Sequence, residues 1–181
     1  MYAYVFGAHG SDLSAAIEQV GRGEEGNRVR AVAEVTIGDF GSVVAIEAPD
    51  MEALDAHVSS LSSDSGTYTQ HSAMMLCTLP DCGPGLLPGG MMPSYLLGHP
   101  AMAFVLLELT WPLESWPELR SPGVGAGVEA GGRRVLLELG ADDIETIQAD
   151  LARLGGVREV RAVRASYVSG TRFTTSEGTG A

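Results

Sequence analysis

The sequence predicts an α+β fold in which two tandem β-α-β-β-α-β units pack sheet against sheet. The stretch from Glu34 to Val58 has the pattern of two apolar strands around a Gly-rich turn, followed by an amphipathic helix. A weaker copy of this pattern returns between Val128 and Leu154, which indicates an internal repeat. Apolar residues occupy both sides of the predicted strands, as in Val43–Ile46, so each sheet should be buried on both faces.

The first unit is predicted over residues 1–77. Alternating apolar residues predict its strands, and apolar residues at helical spacing predict its helices. In chain order these are a strand at 2–6, a helix at 11–20, a strand at 29–37, a strand at 43–47, a helix starting at Pro49 or Asp50 and reaching Leu61, and a strand at 67–76. Gly38-Asp39-Phe40-Gly41 forms the turn of the central hairpin.

Residues 78–101 are rich in proline and glycine and predict an interdomain linker. The second unit is predicted over 102–168, and residues 169–181 form a flexible tail. Its strands are predicted at 103–106, 124–129, 133–139 and 157–168, and its helix carries Ile144, Ile147, Leu151 and Leu154 after a capping box of Asp142 and Glu145. Pro117 should keep the segment from Trp111 from forming a long helix.

Charge and segment composition exclude several classes of function. The formal net charge of -12 disfavours direct nucleic-acid binding, because such binding depends on Lys and Arg neutralising phosphates. The chain starts without a basic region before an apolar stretch, and no apolar run reaches the ~20 residues of a membrane span. We therefore expect a cytoplasmic protein that does not bind membranes, with Cys77 and Cys82 as thiols.

Two stretches resemble a known family. Thr36–Leu54 resembles the hairpin and second helix of the ligand-binding, RAM-like domain of the Lrp/AsnC regulators, and residues 155–162 are similar to that domain's approach to its last strand. The wider group is the dimeric α/β barrel superfamily, whose units are ferredoxin-like. The family's regulators carry an N-terminal helix-turn-helix, which is not expected here because the first predicted strand begins at Tyr2. The second unit departs from the family's Gly-Asp-Phe turn, with Gly131-Gly132-Arg133 in its place.

The resemblance implies that the 38–41 turn lines an effector pocket in which Asp39 meets an amine. Turn statistics alone favour a second interpretation, a hairpin turn that needs glycine at positive φ. The polar fourth strand places Thr69 and His71 on one face, as pocket residues or as a solvated edge strand. The candidate ligand-binding residues are Gly38, Asp39, Phe40, Thr69 and His71.

The predicted function is a non-enzymatic module that binds a small molecule such as an amino acid, or assembles with a protein partner or with further copies of itself, in regulation. The first alternative is a small cofactor-independent monooxygenase or isomerase of the same superfamily, with His9, His71 and Tyr68 as catalytic residues. The second is a structural component whose apolar linker docks on an assembly.

No cofactor and no metal is expected. Cys77 and Cys82, with His71 or His99, have a loose spacing for zinc and lack a second Cys pair. Trp111 and Trp116 are predicted to be core or interface anchors. Glu47 and Glu138 are predicted to end equivalent strands, as solvated strand ends or helix-cap partners in preference to an acid/base pair.

Overall fold

The structure is a computed structural model that describes residues 2–10, 12, 14–15, 17–18, 29–63, 71–77, 99–111, 116–129 and 133–174. The chain divides into two compact units. The first consists of Met1–Ser72 and Ser169–Ala181, and the second of Ala73–Val168. Both units are rich in antiparallel β-structure, and none of the helices in the described ranges has the length and apolar character needed to cross a bilayer.

The first unit contains three antiparallel strands in the order β1-β3-β2 and one helix with defined bounds. The strands are β1 (Tyr2–Gly7), β2 (Arg30–Gly38) and β3 (Ser42–Glu47), and the helix is α1 (Met51–Ser63). Asp50 caps this helix, because its Oδ1 accepts a hydrogen bond of 2.8 Å from Ala53 N. The hairpin and the second helix of the predicted first unit are therefore confirmed.

Burial in the first unit follows the apolar pattern of the sequence. Successive residues of β3 from Val43 to Ile46 are all buried, which confirms that this sheet is covered on both faces. Leu54, Val58 and Leu61 form the buried side of α1. Only part of the predicted first helix belongs to the described residues: Asp12 Oδ1 accepts from Ala15 N at 3.1 Å, as at a helix start.

The second unit contains most of a five-stranded antiparallel sheet in the order β8-β5-β7-β6-β4; the end of β8 from Ser169 and the first two residues of β4 belong to the first unit. Its elements are β4 (His71–Cys77), β5 (Ala101–Leu109), β6 (Gly123–Glu129), β7 (Arg134–Ala141), α2 (Ile144–Gly155) and β8 (Val160–Thr174). Alternate residues of β5 and β7 form a core with Ile147 and Leu154 of α2. Asp143, rather than Asp142, caps α2, with Oδ1 2.7 Å from Thr146 N.

The prediction of two tandem β-α-β-β-α-β ferredoxin-like units packed sheet to sheet is wrong. The described residues contain only two helices with defined bounds, α1 and α2, where two such units need four. The strands do not divide into two equal sets either, since β8 (Val160–Thr174) continues from the second unit into the first. Strand β4, predicted to complete the first unit, pairs with β6 of the second, in the register Met75↔Glu129. The pairing of strands that are distant in the sequence, and not the similarity of neighbouring segments, therefore decides which strands form a sheet.

The connection between β5 and β6 explains why the described part of the second unit has one helix, α2, and lacks the other helix of a β-α-β-β-α-β unit. Residues 116–122 are irregular, and they contain Pro117 and Pro122, which oppose helix formation. This segment is tethered to α2. Asp150 accepts hydrogen bonds from Arg120 N, Ser121 N and Ser121 Oγ at 2.8, 2.8 and 2.6 Å. Trp116 packs against the core, as predicted for an anchor, whereas Trp111 is 74% exposed.

His57 on α1 gives the first unit a pH-dependent stability. Partial burial lowers the pKa of His57 below the ordinary histidine value of 6.5, so the unfolded chain takes up this proton at a higher pH than the folded chain. The free energy of unfolding should therefore fall as pH drops through 6.5. We expect His57→Gln to flatten the slope between about pH 7 and pH 5 in urea denaturation. Equal slopes for the two proteins would contradict this prediction.

Candidate functional site

Two loops of the first unit meet at one end of its sheet. They are the loop after β1, residues 7–10, and the β2–β3 turn, residues 38–41, which we call the loop pair. Gly41 N donates to Gly7 O at 2.9 Å, and His9 Nε2 lies 3.1 Å from Gly38 O. Because a carbonyl oxygen can only accept, Nε2 of the neutral ring carries the proton and Nδ1 is the acceptor. The loop pair thus holds His9 against the turn that contains Asp39.

Glycine is required at two positions of this turn. Gly38 has a φ of 142°, in the region that favours glycine, which confirms the predicted need for a positive φ. A Cβ atom on Gly41 would lie 2.3 Å from His9 Cα and 2.6 Å from Ala8 O. The backbones of the two loops therefore touch directly, and the turn has a structural role whatever else it does.

Phe40 of the loop pair forms a buried aromatic pair with Phe6 of β1. Its ring centroid lies 4.5 Å from that of Phe6, with an interplanar angle of 40°. The position of Phe40 is fixed by Thr36, whose Oγ1 donates to Phe40 O at 2.8 Å and whose N donates to Gly41 O at 3.0 Å. The exposed His9 and Asp39 thus lie on loops anchored to a buried aromatic cluster.

A buried carboxylate lies on the same side of the sheet as these rings. The register places Glu34 opposite Val43, and Val43 opposite Phe6. Directly paired residues project from one face, and residues two apart along a strand share it. Tyr4, Phe6, Glu34 and Thr36 therefore occupy one sheet face, which we call the Glu34 face, and Glu34 is only 1% exposed.

The structure brings together some of the predicted site residues. Gly38, Asp39 and Phe40 form the turn, and His9 joins them through its hydrogen bond to Gly38. Thr69 and Tyr68 lie outside the described residues, and for His71 the structure gives only the backbone position in β4. The binding role of Thr69 and His71 and the catalytic set of His9, His71 and Tyr68 therefore stay predictions.

Other candidates are also located in part. Cys77 ends β4, and Cys82 lies outside the described residues. Within the ranges that the structure describes, no three His, Cys, Asp or Glu side chains are grouped in a way that could hold a metal ion. Glu47 ends β3 as predicted, but Glu138 lies inside β7 and is 2% exposed, so its assignment as a solvated strand end is wrong.

Sequence reasoning missed Glu34 and the position of Glu138. The available signal was a single carboxylate inside an otherwise apolar strand, as in Ala33-Glu34-Val35 and Leu137-Glu138-Leu139. Such residues are rarely buried unless they are paired or functional.

Comparison of the chain with models of protein families, with curated proteins and with solved structures finds no match.

Proposed function

We propose that the chain is a non-enzymatic ligand-binding module that acts in regulation through a protein partner, and that its first unit binds a small molecule carrying a protonated amine, such as an amino acid. The observation that carries the proposal is the burial of Glu34 on a sheet face with aromatic side chains, next to the loop pair. The regulatory role rests on the resemblance of Thr36–Leu54 to the Lrp/AsnC ligand-binding domain.

The chemistry of the Glu34 face favours a cationic group. A carboxylate attracts a cation more strongly in a buried position than in water, and an ammonium group supplies both a positive charge and hydrogen-bond donors. Aromatic rings such as Tyr4 and Phe6 add a cation–π attraction of about 0.5–2 kcal/mol. Their place on the same face as Glu34 is therefore suited to an amine with a small apolar body.

The loop pair has the same preference. Asp39 presents a carboxylate, and His9, with Nε2 directed to Gly38 O, presents Nδ1 as an acceptor. A ligand that approaches these loops meets acceptors before it meets the aromatic pair. A donor-rich amine is thus favoured over an anion at the loop pair as well as at the Glu34 face, in agreement with the negative charge of the chain.

Isothermal titration calorimetry with a panel of amino acids and simple alkylamines tests this proposal. We expect at least one amine to bind, and Glu34→Gln to weaken its binding at least about tenfold, because a hydrogen bond to a charged group contributes about 1.5–3 kcal/mol. Asp39→Asn should weaken binding by a smaller factor. Glu52→Gln, which removes an exposed carboxylate from the first turn of α1, should leave the affinity unchanged.

Thermal unfolding of each variant separates loss of the site from loss of the fold. The proposal is wrong if the wild-type chain binds none of the amines at millimolar concentration. It is also wrong if folded Glu34→Gln protein binds as tightly as wild type.

A further inference from the structure

We propose that copies of this chain associate head to tail through their second units, with the Trp111 end of one copy bound to the Ile144 end of the next. The Trp111 end consists of the exposed residues Trp111, Arg133, Arg158 and Arg161. The Ile144 end consists of residues 142–145, which are also exposed. Each end combines a large apolar side chain, 74% exposed for Trp111 and 48% for Ile144, with charge of one sign.

The two ends lie at opposite edges of one sheet. Ala141, the last residue of β7, directly precedes the Ile144 end and is paired with Ala101 at the start of β5. Strand β5 then runs eight residues to Leu109, roughly 27 Å along an antiparallel strand, and so reaches the Trp111 end. The two surfaces of one chain therefore cannot contact each other, and the partner of either surface must be another molecule.

The backbone that carries Trp111 is held on both sides. Leu109 N donates to Arg133 O at 2.7 Å. Thr110 N and Thr110 Oγ1 both donate to Glu159 O, at 2.8 and 3.0 Å. The ends of three neighbouring strands are thus joined at this place. The exposed indole ring is attached to a preorganised backbone, so a partner can bind it with little ordering cost.

Arginine side chains accompany Trp111 at this edge of the sheet. Arg133 precedes β7, Arg158 precedes the tethered Glu159, and Arg161 is the residue that a β-bulge of β8 leaves unpaired. None of these three arginines forms an ion pair with another residue of the described ranges. Glu159 offsets only part of their charge, so the Trp111 end is positive. Tryptophan and arginine are the residue types that most often dominate the energy of protein interfaces.

The Ile144 end has the complementary charge. Asp143 caps α2, and the carboxylates of Asp142 and Glu145 have no hydrogen-bond or ion-pair partner among the residues that the structure describes. Arginine side chains of a second copy can therefore pair with them, while Ile144 covers part of the exposed indole ring. The Trp111 end requires carboxylates beside an apolar side chain, and the opposite edge of the same sheet presents this combination. Charge complementarity thus identifies a second copy as the partner.

The net charge of -12 does not exclude this contact. At ~0.15 M ionic strength, exposed charges more than about 8 Å apart are largely screened from each other. Most charges on two copies therefore repel weakly, whereas the charges that meet at the contact attract. Because the contact joins different surfaces of two copies, each copy can bind one neighbour at each end, which gives rings or open chains.

Sedimentation velocity of the full-length protein at increasing concentration tests the proposal. We expect the average mass to rise above that of the monomer, and Trp111→Ala to weaken the association at least about tenfold. Arg158→Glu/Arg161→Glu makes both ends acidic, and Asp142→Arg/Glu145→Arg makes both ends basic. Each double variant alone should stay monomeric. An equimolar mixture of the two should associate, because each variant supplies the charge that the other has lost.

Glu52→Arg/Asp55→Arg is the matched control, since it makes the same change in net charge at exposed positions of α1 and should leave the association intact. Thermal unfolding checks that every variant is folded. A wild-type chain that stays monomeric at millimolar concentration would overturn the proposal and leave a different acidic protein as the partner of the Trp111 end. It is also overturned if Trp111→Ala associates as tightly as wild type, or if the mixed double variants stay monomeric.

Discussion

The Gly41→Ala variant is expected to lose at least about 3 kcal/mol of unfolding free energy, the upper part of the usual range for inserting an atom into a filled space. Its new methyl group would overlap the backbone of His9 and Ala8, with distances of 2.3–2.6 Å. Backbone atoms cannot move aside as a flexible side chain can. The variant must therefore separate the loop pair and break the hydrogen bonds from Gly41 N to Gly7 O and from His9 to Gly38.

Urea denaturation of the variant and of Gly155→Ala measures this effect. A Cβ atom on Gly155, at the end of α2, would meet only Val163 Cγ2 at 4.0 Å, an ordinary van der Waals contact. The same chemical change should there be neutral or stabilise the protein by up to about 1 kcal/mol, because alanine favours a helix over glycine. Similar losses for the two variants would contradict the direct contact between the loops.

The Asp150→Ala variant is expected to lose about 3–5 kcal/mol of unfolding free energy, because three hydrogen-bond donors lose the buried carboxylate that accepts from them. Asp150 is fully buried on α2 and accepts three hydrogen bonds from Arg120 and Ser121. Alanine would leave two backbone N–H groups and one hydroxyl group without their acceptor. Each unsatisfied buried donor costs about 1–3 kcal/mol.

Hydrogen exchange gives this prediction a local readout. The amide protons of Arg120 and Ser121 should lose protection in Asp150→Ala, while amides of the β1–β3 pair should not. Asp142→Ala, at an exposed position just before α2, is the matched control and should change stability by less than about 0.5 kcal/mol. Unchanged protection at Arg120 and Ser121 would show that the segment does not depend on Asp150.

The hairpin and helices of known bounds could be predicted from the sequence because their signals are local. Alternation between Val29 and Ile37 and the glycines of the turn place β2 within one residue of its observed bounds, Arg30–Gly38. The pairing of β4 with β6 has no such signal, since it depends on which distant segments meet. The sequence repeat predicted that β4 completes the first unit, whereas β4 pairs with β6.

In the candidate site, too, the residues with a local sequence signal could be predicted, and those whose burial depends on distant segments could not. The turn residues Gly38, Asp39 and Phe40 stand out locally, and His9 follows a recognisable strand. Glu34 carries only one local signal, a carboxylate inside an apolar strand, and its burial in β2 depends on what covers that face of the sheet. The position of Glu138 was misjudged for a related reason: β7 continues to Ala141, beyond the predicted end at Leu139, so the residue lies well inside the strand.

The division of the first unit into two separate segments, 1–72 and 169–181, has a consequence for biosynthesis. Ribosomes release the chain from its amino end, and domains generally fold as they emerge. Residues 73–168 are thus all translated before the last segment of the first unit exists. Residues 73–168 should therefore reach their native state first, and residues 1–72 should complete theirs only after the segment that starts at Ser169 has been translated.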